Sequence, residues 1–360
     1  MAAIRIVIIG YGGMGSYHQK ELIPQELVDV VGIYDIAQTA QDKAREAGLT
    51  VYDSLEQVLN DESVEAVLVA TPNDVHQDLS IAALRGGKQV ICEKPVAMNV
   101  SELDAILEVA AETGNTFMVH QNRRWDPDFL VIRDLYQKGQ IGDLFQIESR
   151  VHGANGIPGD WREQAAHGGG MLLDWGVHLI DQILWLVDSP IKSMAADFSY
   201  ILGNEVDDGF ILYLTFENGT RTLIEVGTTN FSQLPRWYVK GLNGAAKIED
   251  WDLSGEIVVA THQDDLVAPK PIKAGVGLTK TMAPPSEEAT KKVAINEILP
   301  EFPSFYQNFY DVVKNDAAPI VKNEEVRKVL YLIDSVFELV GQKRRKDKRN
   351  GYLFCCFNKV

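Results

Sequence analysis

Residues 4–15 are IRIVIIGYGGMG, and this stretch decides the predicted fold class. Residues 4–9 are β-branched and nearly all apolar, which is typical of a strand covered on both faces in a parallel sheet. Gly10, Gly12 and Gly15 then give the spacing G-x-G-x-x-G, and a helix can follow them. In such a turn the first glycine permits a tight bend, the second admits a pyrophosphate, and the third lets helix and strand pack closely. The phosphates would lie against the free N–H groups at the start of the helix.

A second apolar run, residues 28–34, ends at Asp35, 20 positions after Gly15. A carboxylate at that distance can accept hydrogen bonds from both ribose hydroxyls of an adenosine. No arginine follows Asp35 to hold a 2′-phosphate, so the sequence favours NAD over NADP. The alternative is a glycine-rich turn with an unrelated surface aspartate, and the order of strand, glycines, helix and acid argues against it. The residues expected to contact the dinucleotide here are Gly10, Tyr11, Gly12, Gly13, Met14, Gly15, Asp35 and Ile36.

Composition restricts what the protein can be. With 360 residues, 46% of them hydrophobic, the chain can form about two domains with full cores. Its net charge of -17 disfavours nucleic acid and anionic membranes as partners. No apolar run approaches the roughly 18 residues of a membrane span, and no secretory signal is found at the start. The three cysteines, Cys92, Cys355 and Cys356, form neither a disulfide framework nor a metal-ligand spacing, which predicts a cytoplasmic protein.

Strands and helices alternate as far as residue 122, which predicts a doubly wound parallel sheet in an N-terminal Rossmann domain, residues 1–122. Ser54 and Ser101 are each expected to cap a helix. Ligands of such sheets bind beyond the carboxyl ends of the strands, so polar residues there are candidates for the site. The polar candidates are Thr71, Asn73, His76, Glu93, Lys94, Gln121 and Asn122, and Pro72 between the first two is also expected to contact the cofactor. A capping or core histidine is the alternative interpretation of His76.

Glu93-Lys94-Pro95 follows a short predicted strand and is the sharpest of these motifs. Pro95 ends the strand and holds Lys94 extended. A lysine at a partly dry strand end, beside a nicotinamide ring, can have a lowered pKa and exchange a proton with a substrate hydroxyl. The alternative is a solvated surface lysine, and the position of Lys94 at a strand end leaves both interpretations open.

The alternation stops near Asn122-Arg123-Arg124-Trp125, so a second domain is predicted at residues 123–342. Residues 191–259 contain strand patterns joined by turns such as Asn218-Gly219, which predicts an α+β domain with a mainly antiparallel open sheet. We expect a homodimer or homotetramer to form through the open face of this sheet. The remaining predictions are a loop or arm at 263–292, helices at 301–314 and 324–341, and a disordered basic tail at 343–360.

Trp161-Arg162 follows a loop rich in glycine and proline. Arg162 can bind a phosphate or a substrate oxygen, because its guanidinium offers several donors in one plane. The alternative is a surface arginine stacked on Trp161. The sequence leaves both interpretations open.

Asp174 and His178 lie four positions apart in an otherwise apolar helix, so they project from one helix face. Burying both costs several kcal/mol unless they are paired or used. One interpretation is an acid–base histidine with an aspartate that orients the ring or a substrate hydroxyl; the other is a satisfied Asp–His pair in a structural helix. The glycines at 168–170 would let a ligand come close. No third ligand lies at a zinc-like spacing, so no metal is expected.

Together these pieces resemble the Gfo/Idh/MocA family of oxidoreductases, from residue 4 to about residue 342. The motifs that carry the resemblance are Gly10-x-Gly12-x-x-Gly15, Glu93-Lys94-Pro95, and Gly169-Gly170 through Asp174-x-Gly176-x-x-His178. The resemblance implies hydride transfer between nicotinamide C4 and a hydroxyl-bearing carbon, usually of a sugar or cyclitol. It also implies that Lys94 and His178 handle the proton and that Asp174 binds or orients the substrate.

The resemblance further implies that Trp161-Arg162 contacts the cofactor or substrate region. We place Arg124 with Lys94, Asp174 and His178 among the substrate-binding residues. Three classes of function remain: an NAD-dependent sugar or polyol dehydrogenase, a lyase or glycosidase that oxidises its substrate transiently, and a non-catalytic NAD-binding regulator. The intact lysine and Asp/His pair argue against the regulator. The expected partner is therefore a small polyol or sugar.

Overall fold

The computed structural model describes residues 2–261, 270–282, 284, 288–346 and 355–356. Within them the chain forms a six-stranded sheet, a nine-stranded sheet and a separate two-stranded hairpin. Buried residues of the first two sheets, and of the helices between them, belong to one continuous apolar core.

The six-stranded sheet is parallel throughout and has the strand order β3-β2-β1-β4-β5-β6. Its elements are β1 (Ile4–Ile9), α1 (Gly13–Tyr17), β2 (Val28–Tyr34), α2 (Gln38–Glu46), β3 (Thr50–Val51), α3 (Leu55–Asn60), β4 (Ala66–Val69), α4 (His76–Arg85), β5 (Gln89–Cys92), α5 (Val100–Thr113) and β6 (Phe117–Val119). Every residue of β4 is buried, because helices cover both faces of the sheet. The predicted doubly wound fold is confirmed.

Helix caps in this half match the sequence prediction in one case and differ in another. The Ser54 hydroxyl accepts a hydrogen bond from the Gln57 N–H at 3.2 Å and caps α3, as predicted. Helix α5 begins earlier than predicted, because the Asn99 side chain accepts from the Glu102 N–H at 3.0 Å. Ser101 therefore lies inside the helix, and its prediction as the cap was wrong.

The second half forms the mainly antiparallel sheet, in the order β16-β13-β12-β11-β7-β10-β9-β8-β17. Its elements are α6 (Pro127–Lys138), β7 (Leu144–His152), α7 (Val177–Leu186), β8 (Ile191–Ser199), β9 (Gly209–Phe216), β10 (Arg221–Gly227), β11 (Trp237–Gly241), β12 (Gly244–Ile248), β13 (Gly255–Ala260), β14 (Ile272–Ala274), β15 (Gly277–Thr279), β16 (Thr290–Val293), α8 (Phe305–Asn315), α9 (Asn323–Lys346) and β17 (Cys355–Cys356). Among the described strands of this nine-stranded sheet, only β7 and β10 form a parallel pair. The α+β prediction is confirmed.

Two predictions for the C-terminal part need correction. The segment predicted as a loop or arm contains the β14–β15 hairpin and β16, which pairs with β13 and extends the large sheet. Helix α9 continues to Lys346, past its predicted end at residue 341. The predicted disordered tail, 343–360, lies mostly outside the described residues.

The C-terminal helices connect the two halves of the molecule. Phe305 and Phe309 of α8 belong to the same buried apolar cluster as Ile4 and Ile6 of β1. Helix α9 packs on both α5 and α7. Helix α8 packs with the first sheet, although the chain reaches it only after the second sheet. The predicted domain boundary at residue 122 therefore stays a prediction. Across the described residues, none of the helices has the length and apolar character that a membrane crossing requires.

Candidate active site

The glycine turn after β1 is shaped by close backbone contacts. Gly10 has φ +91°, and a Cβ there would lie 2.6 Å from the Ala70 carbonyl oxygen. A Cβ on Gly15 would lie 2.0 Å from the Gly10 carbonyl oxygen, so only glycine allows the helix to approach the strand this closely. At Gly12 and Gly13 no described atom lies within 4 Å of the corresponding position. The turn is therefore tight on its protein side and open where phosphates would lie.

Asp35, at the end of β2, faces this turn. Its Oδ2 accepts a hydrogen bond from the Tyr11 N–H at 2.6 Å, and its Oδ1 accepts one from the Ala37 N–H at 2.8 Å. The next side chain, Ile36, is 88% exposed. Two backbone donors thus fix the carboxylate beside the glycine turn, with further lone pairs left for ribose hydroxyls.

A cleft of about 700 Å³ runs from the glycine turn to the second half of the chain. The predicted site residues that line it are Gly10, Gly12, Gly13, Met14, Asp35, Ile36, Thr71, Pro72, Asn73, Glu93, Lys94, Trp161, Arg162 and Asp174. The predicted residues outside this lining are Tyr11, Gly15, His76, Gln121, Asn122, Arg124 and His178. Sequence reasoning missed three polar residues of the lining, Asp74, Asp160 and His167. The glycine turn, an acid at the end of β2 and an open cleft beside both fit a dinucleotide.

Two predicted cofactor residues hold loops together. The His76 ring is fully buried, with Nδ1 2.9 Å from the Pro95 carbonyl oxygen and Nε2 2.9 Å from the Thr71 carbonyl oxygen. It therefore joins two strand ends behind the cleft, which is the core role left open above. The Asn73 amide donates to the Gly168 carbonyl oxygen at 2.9 Å and connects the two halves of the molecule.

Lys94 and Asp174 meet in the cleft. The Lys94 Nζ donates to the backbone oxygen of Asp174 at 3.0 Å and to its Oδ1 at 3.2 Å. The other carboxylate oxygen lies 3.6 Å from Nε of Arg162. Arg162 also pairs with Asp160 at 2.8 Å and stacks on Trp161, with 4.4 Å between the guanidinium carbon and the ring centroid. Both interpretations of Arg162 thus hold, because it stacks and also reaches the cleft.

His178 lies in the first turn of α7, just after a π-helical turn formed by residues 172–176. Its side chain is buried, and its Nδ1 has no hydrogen-bond partner among the described residues. Burial, followed by the positive charges of Lys94 and Arg123, holds the pKa of His178 well below its usual range. The ring is therefore neutral at pH 7. Because the oxygens of Asp174 face Lys94 and Arg162, the alternative of a satisfied Asp–His pair is not what forms.

The glycines at 168–170 have a different role from the one predicted. A Cβ on Gly169 would lie 2.2 Å from the Arg162 carbonyl oxygen, and one on Gly170 would lie 2.3 Å from Oδ1 of Asp207. At Gly168 the nearest atom would be the Met98 sulfur, at 2.5 Å. These glycines make room for protein atoms, so the expectation that they admit a ligand was wrong.

Arg124 lies outside the cleft. Its side chain is fully buried and forms a bidentate pair with Asp181, with N···O distances of 2.8 and 2.6 Å, and a third ionic contact with Glu325 at 2.6 Å. With its donors used in this way it cannot reach a ligand, so its assignment to substrate is corrected. The neighbouring Arg123 is the arginine whose charge acts on His178.

A second polar cluster adjoins the cleft, which its member Glu93 also lines, and sequence reasoning missed most of it. The cluster, hereafter the buried network, consists of His18, Glu93, His120 and Tyr306. Three of these, His18, Glu93 and His120, form a potential metal-ligand group within the described part of the chain, but their donor atoms are 2.6 and 2.7 Å apart, which are hydrogen-bond distances. The one available signal was the position of His120, directly before Gln121 at the end of β6. Gln121 itself is buried, with no hydrogen-bond partner for its amide among the described residues.

A parallel sheet with a glycine turn, combined with an ionisable cluster between two lobes, defines a dinucleotide-dependent enzyme. Two family models match the chain: "Oxidoreductase family, NAD-binding Rossmann fold" over residues 4–121 and "GFO/IDH/MocA C-terminal domain" over residues 129–247. The chain belongs to the Gfo/Idh/MocA family of NAD(P)-dependent oxidoreductases, as the motifs predicted.

Individual relatives agree with this assignment. The solved structure of an NAD-binding protein from Listeria innocua is 57% identical, with a TM-score of 0.90 over 94% of this chain and 97% of the other. The scyllo-inositol 2-dehydrogenase (NADP(+)) IolW of Bacillus subtilis is 27% identical over 95% of both chains. The scyllo-inositol 2-dehydrogenase (NAD(+)) of the same organism is 28% identical over 63% of this chain and 68% of its own.

Proposed function

We propose that this protein is a dehydrogenase that oxidises a hydroxyl-bearing carbon of a sugar or cyclitol, with NAD as the hydride acceptor. The observation that carries this proposal is the cleft triad of Lys94, Asp174 and His178: Lys94 and Asp174 meet in the cleft lining, and the neutral imidazole of His178 is buried close enough to Lys94 for the ammonium charge to lower its pKa. Inositol dehydrogenases among the relatives support the substrate class.

Each member of the cleft triad has a chemical task in the proposal. The bound nicotinamide ring supplies the hydride acceptor. His178 takes the hydroxyl proton, because its lowered pKa keeps it neutral and its Nδ1 has no hydrogen-bond partner among the described residues. Lys94 donates to the oxygen on which negative charge develops. Asp174 holds Lys94 in place through two contacts and orients a second substrate hydroxyl.

Asp35 supports NAD over NADP. A 2′-phosphate would bring negative charge next to a carboxylate that the Tyr11 and Ala37 N–H groups hold in position. The neighbouring Ile36 offers no cation to compensate. Because relatives of both cofactor types exist, the ratio of kcat/KM with NAD to that with NADP tests this part. We expect it to favour NAD in the wild type and to fall in Asp35→Ser.

We propose that a homo-oligomer forms through the outer face of the large sheet. Along β9 the residues Phe210, Leu212 and Leu214 are buried inward, whereas Tyr213 on the opposite face is 49% exposed. A single exposed aromatic side chain is normal at a protein surface, so the oligomer stays a proposal, tested by the mass of the protein in solution.

The proposed function is tested by a screen of sugars and cyclitols with NAD, followed at the NADH absorbance band. Net NADH formation with at least one polyol is the expected result. Substrate turnover without net NADH would instead identify a lyase or glycosidase that oxidises its substrate transiently. NAD binding without turnover of any polyol or glycoside would identify a regulator and overturn the proposal.

A further inference from the structure

The buried network joins four separate parts of the chain. The Glu93 Oε1 lies 2.6 Å from His18 Nε2 and 2.7 Å from His120 Nδ1. The other ring nitrogen of His18, Nδ1, lies 2.5 Å from the Tyr306 hydroxyl. His18 follows α1, His120 follows β6, and Tyr306 comes from α8, which the chain reaches only after the second sheet. Each of the four residues is at most 4% exposed.

The protonation states of the buried network follow from its surroundings. Burial, with the charge of His120, lowers the pKa of His18, so this ring is neutral. Burial alone would raise the pKa of Glu93, but the charge and hydrogen bonds of His120 and His18 outweigh burial and hold it well below the usual value. Burial and the charge of Glu93 raise the pKa of Tyr306. The Tyr306 O–H therefore donates to His18 Nδ1, while His18 Nε2–H and His120 Nδ1–H donate to the Glu93 carboxylate.

The Glu93 carboxylate, which His18 and His120 hold in place, also binds the next residue in the chain. Its second oxygen, Oε2, accepts a hydrogen bond from the backbone N–H of Lys94 at 3.1 Å. At the far end of the lysine side chain, Nζ contacts Asp174. The backbone N–H of Lys94 is thus bound by the Glu93 carboxylate, and the imidazoles of His18 and His120 bind that carboxylate in turn.

We propose that Glu93 is a positioning residue: the buried network fixes its carboxylate, and the carboxylate fixes the Lys94 backbone so that Nζ reaches Asp174 and the substrate oxygen. This inference rests on the proposed function for the role of Lys94, but the restraint itself is a property of the fold. Misplacement of a reacting group by about 1 Å can reduce turnover by up to roughly 100-fold. Loss of the restraint should therefore lower kcat and leave cofactor affinity nearly intact.

The test uses a matched pair at His120. His120→Leu removes the donor to Glu93, whereas His120→Asn can place its amide N–H where Nδ1 was. Both variants alter the edge-to-face contact of the ring with Phe305, whose centroid lies 4.7 Å away, so packing effects are shared. We expect kcat to fall roughly 10- to 100-fold in His120→Leu and less than about threefold in His120→Asn. The dissociation constant for NAD should change less than about threefold in either variant.

A second measurement does not depend on turnover. An amine-acylating reagent, with sites mapped by mass spectrometry, reports how tightly Lys94 is held, and the exposed Lys192 serves as the internal reference. Lys94 should react several-fold faster, relative to Lys192, in His120→Leu than in the wild type or His120→Asn. Glu93→Gln keeps the shape but has one carbonyl oxygen, so it cannot accept both from the two imidazoles and from the Lys94 N–H. It should match His120→Leu and replaces it should that variant not fold.

The outcomes separate the two proposals. A wild type that oxidises no polyol, with a Lys94 acylation rate that rises in His120→Leu, would remove the proposed function and keep the restraint. Acylation rates and kcat values that are the same in the wild type, His120→Leu and Glu93→Gln would overturn the positioning role. Equal losses in His120→Leu and His120→Asn would overturn it too, because packing alone would then explain them.

Discussion

Glu93 and Lys94 are neighbours in the chain but belong to two polar clusters that differ in one physical respect. In the buried network, every hydrogen bond that the protonation states allow between its four members is formed. In the cleft triad, Nδ1 of His178 lacks a partner among the described residues, and Asp174 is shared between Lys94 and Arg162. A buried polar group without a partner costs about 1–3 kcal/mol. The folded protein bears that cost in the cleft triad, where we propose that the substrate hydroxyl supplies the bond that Nδ1 of His178 lacks.

The largest effect that we expect is the loss of turnover when a residue of the cleft triad is replaced. Lys94→Met and His178→Gln keep most of the side-chain volume but remove the groups that handle the proton. We expect each variant to lose roughly 10²- to 10⁴-fold in kcat, the usual range for general acid–base groups. Steady-state kinetics with the best polyol from the screen, together with the dissociation constant for NAD, measure this effect. Cofactor affinity should be nearly unchanged, because the glycine turn and Asp35 are untouched.

A matched control lies on the large sheet. His152 of β7 is paired with Glu225 at 3.5 Å and has no place in the cleft lining. His152→Gln should therefore keep wild-type turnover. Wild-type kcat in either Lys94→Met or His178→Gln would remove that residue from the proposed chemistry. The contrast in turnover between the cleft triad and the buried network would then not hold for that residue.

Arg123 and Arg124 are a second pair of chain neighbours whose side chains lie in different surroundings. The loss of stability on replacing Arg124 is the second-largest effect that we expect. Arg124 is fully buried against Asp181 and Glu325, so Arg124→Met leaves Asp181 as an unpaired buried charge. Breaking such a pair costs about 3–5 kcal/mol of unfolding free energy. Thermal or denaturant unfolding of the variant measures the loss, and cofactor affinity of the folded fraction should remain close to that of the wild type.

Arg123→Met is the comparison variant. Arg123 is partly exposed and stacks on Trp175 at 4.3 Å, so its loss should cost less stability than that of Arg124. Because its charge lowers the pKa of His178, the acid limb of the kcat profile should move to higher pH in this variant. A larger loss of stability in Arg123→Met than in Arg124→Met would contradict the assignment of the two arginines.

The sequence allowed prediction wherever the physical cause is local. The glycine turn, Asp35, the alternating elements and the Glu93-Lys94-Pro95 motif all depend on residues close together in the chain. The buried network does not, because His18 and Tyr306 are 288 positions apart and meet only when α8 returns to the parallel sheet. The sequence identified the Arg123-Arg124 and Glu93-Lys94 pairs as features of interest. The direction that each side chain takes is set by packing partners that are distant in the chain.

The smallest expected effect concerns pH and compares the wild type with His178→Gln. Below about pH 6.5 an unfolded histidine takes up a proton, but buried His178 does not, because its pKa is lowered. The unfolded state then binds more protons, so His178 reduces stability as pH falls from about 7.5 to 5.5. His18 and His76 act in the same direction, whereas Asp126 and Asp207, with pKa values raised by burial to about 6, act in the opposite one.

The absolute pH dependence therefore mixes opposing contributions, and the difference between the wild type and His178→Gln isolates one of them. Both proteins share the other titrating groups, so the wild-type melting temperature should fall relative to that of the variant by a few degrees over this interval. The sign is fixed by the lowered pKa, and a wild type that gains stability relative to the variant as pH falls would mean that the folded protein protonates His178. In that case the imidazole would be a proton donor at pH 7 in the ligand-free enzyme, and its role as the group that takes the hydroxyl proton would pass to Lys94.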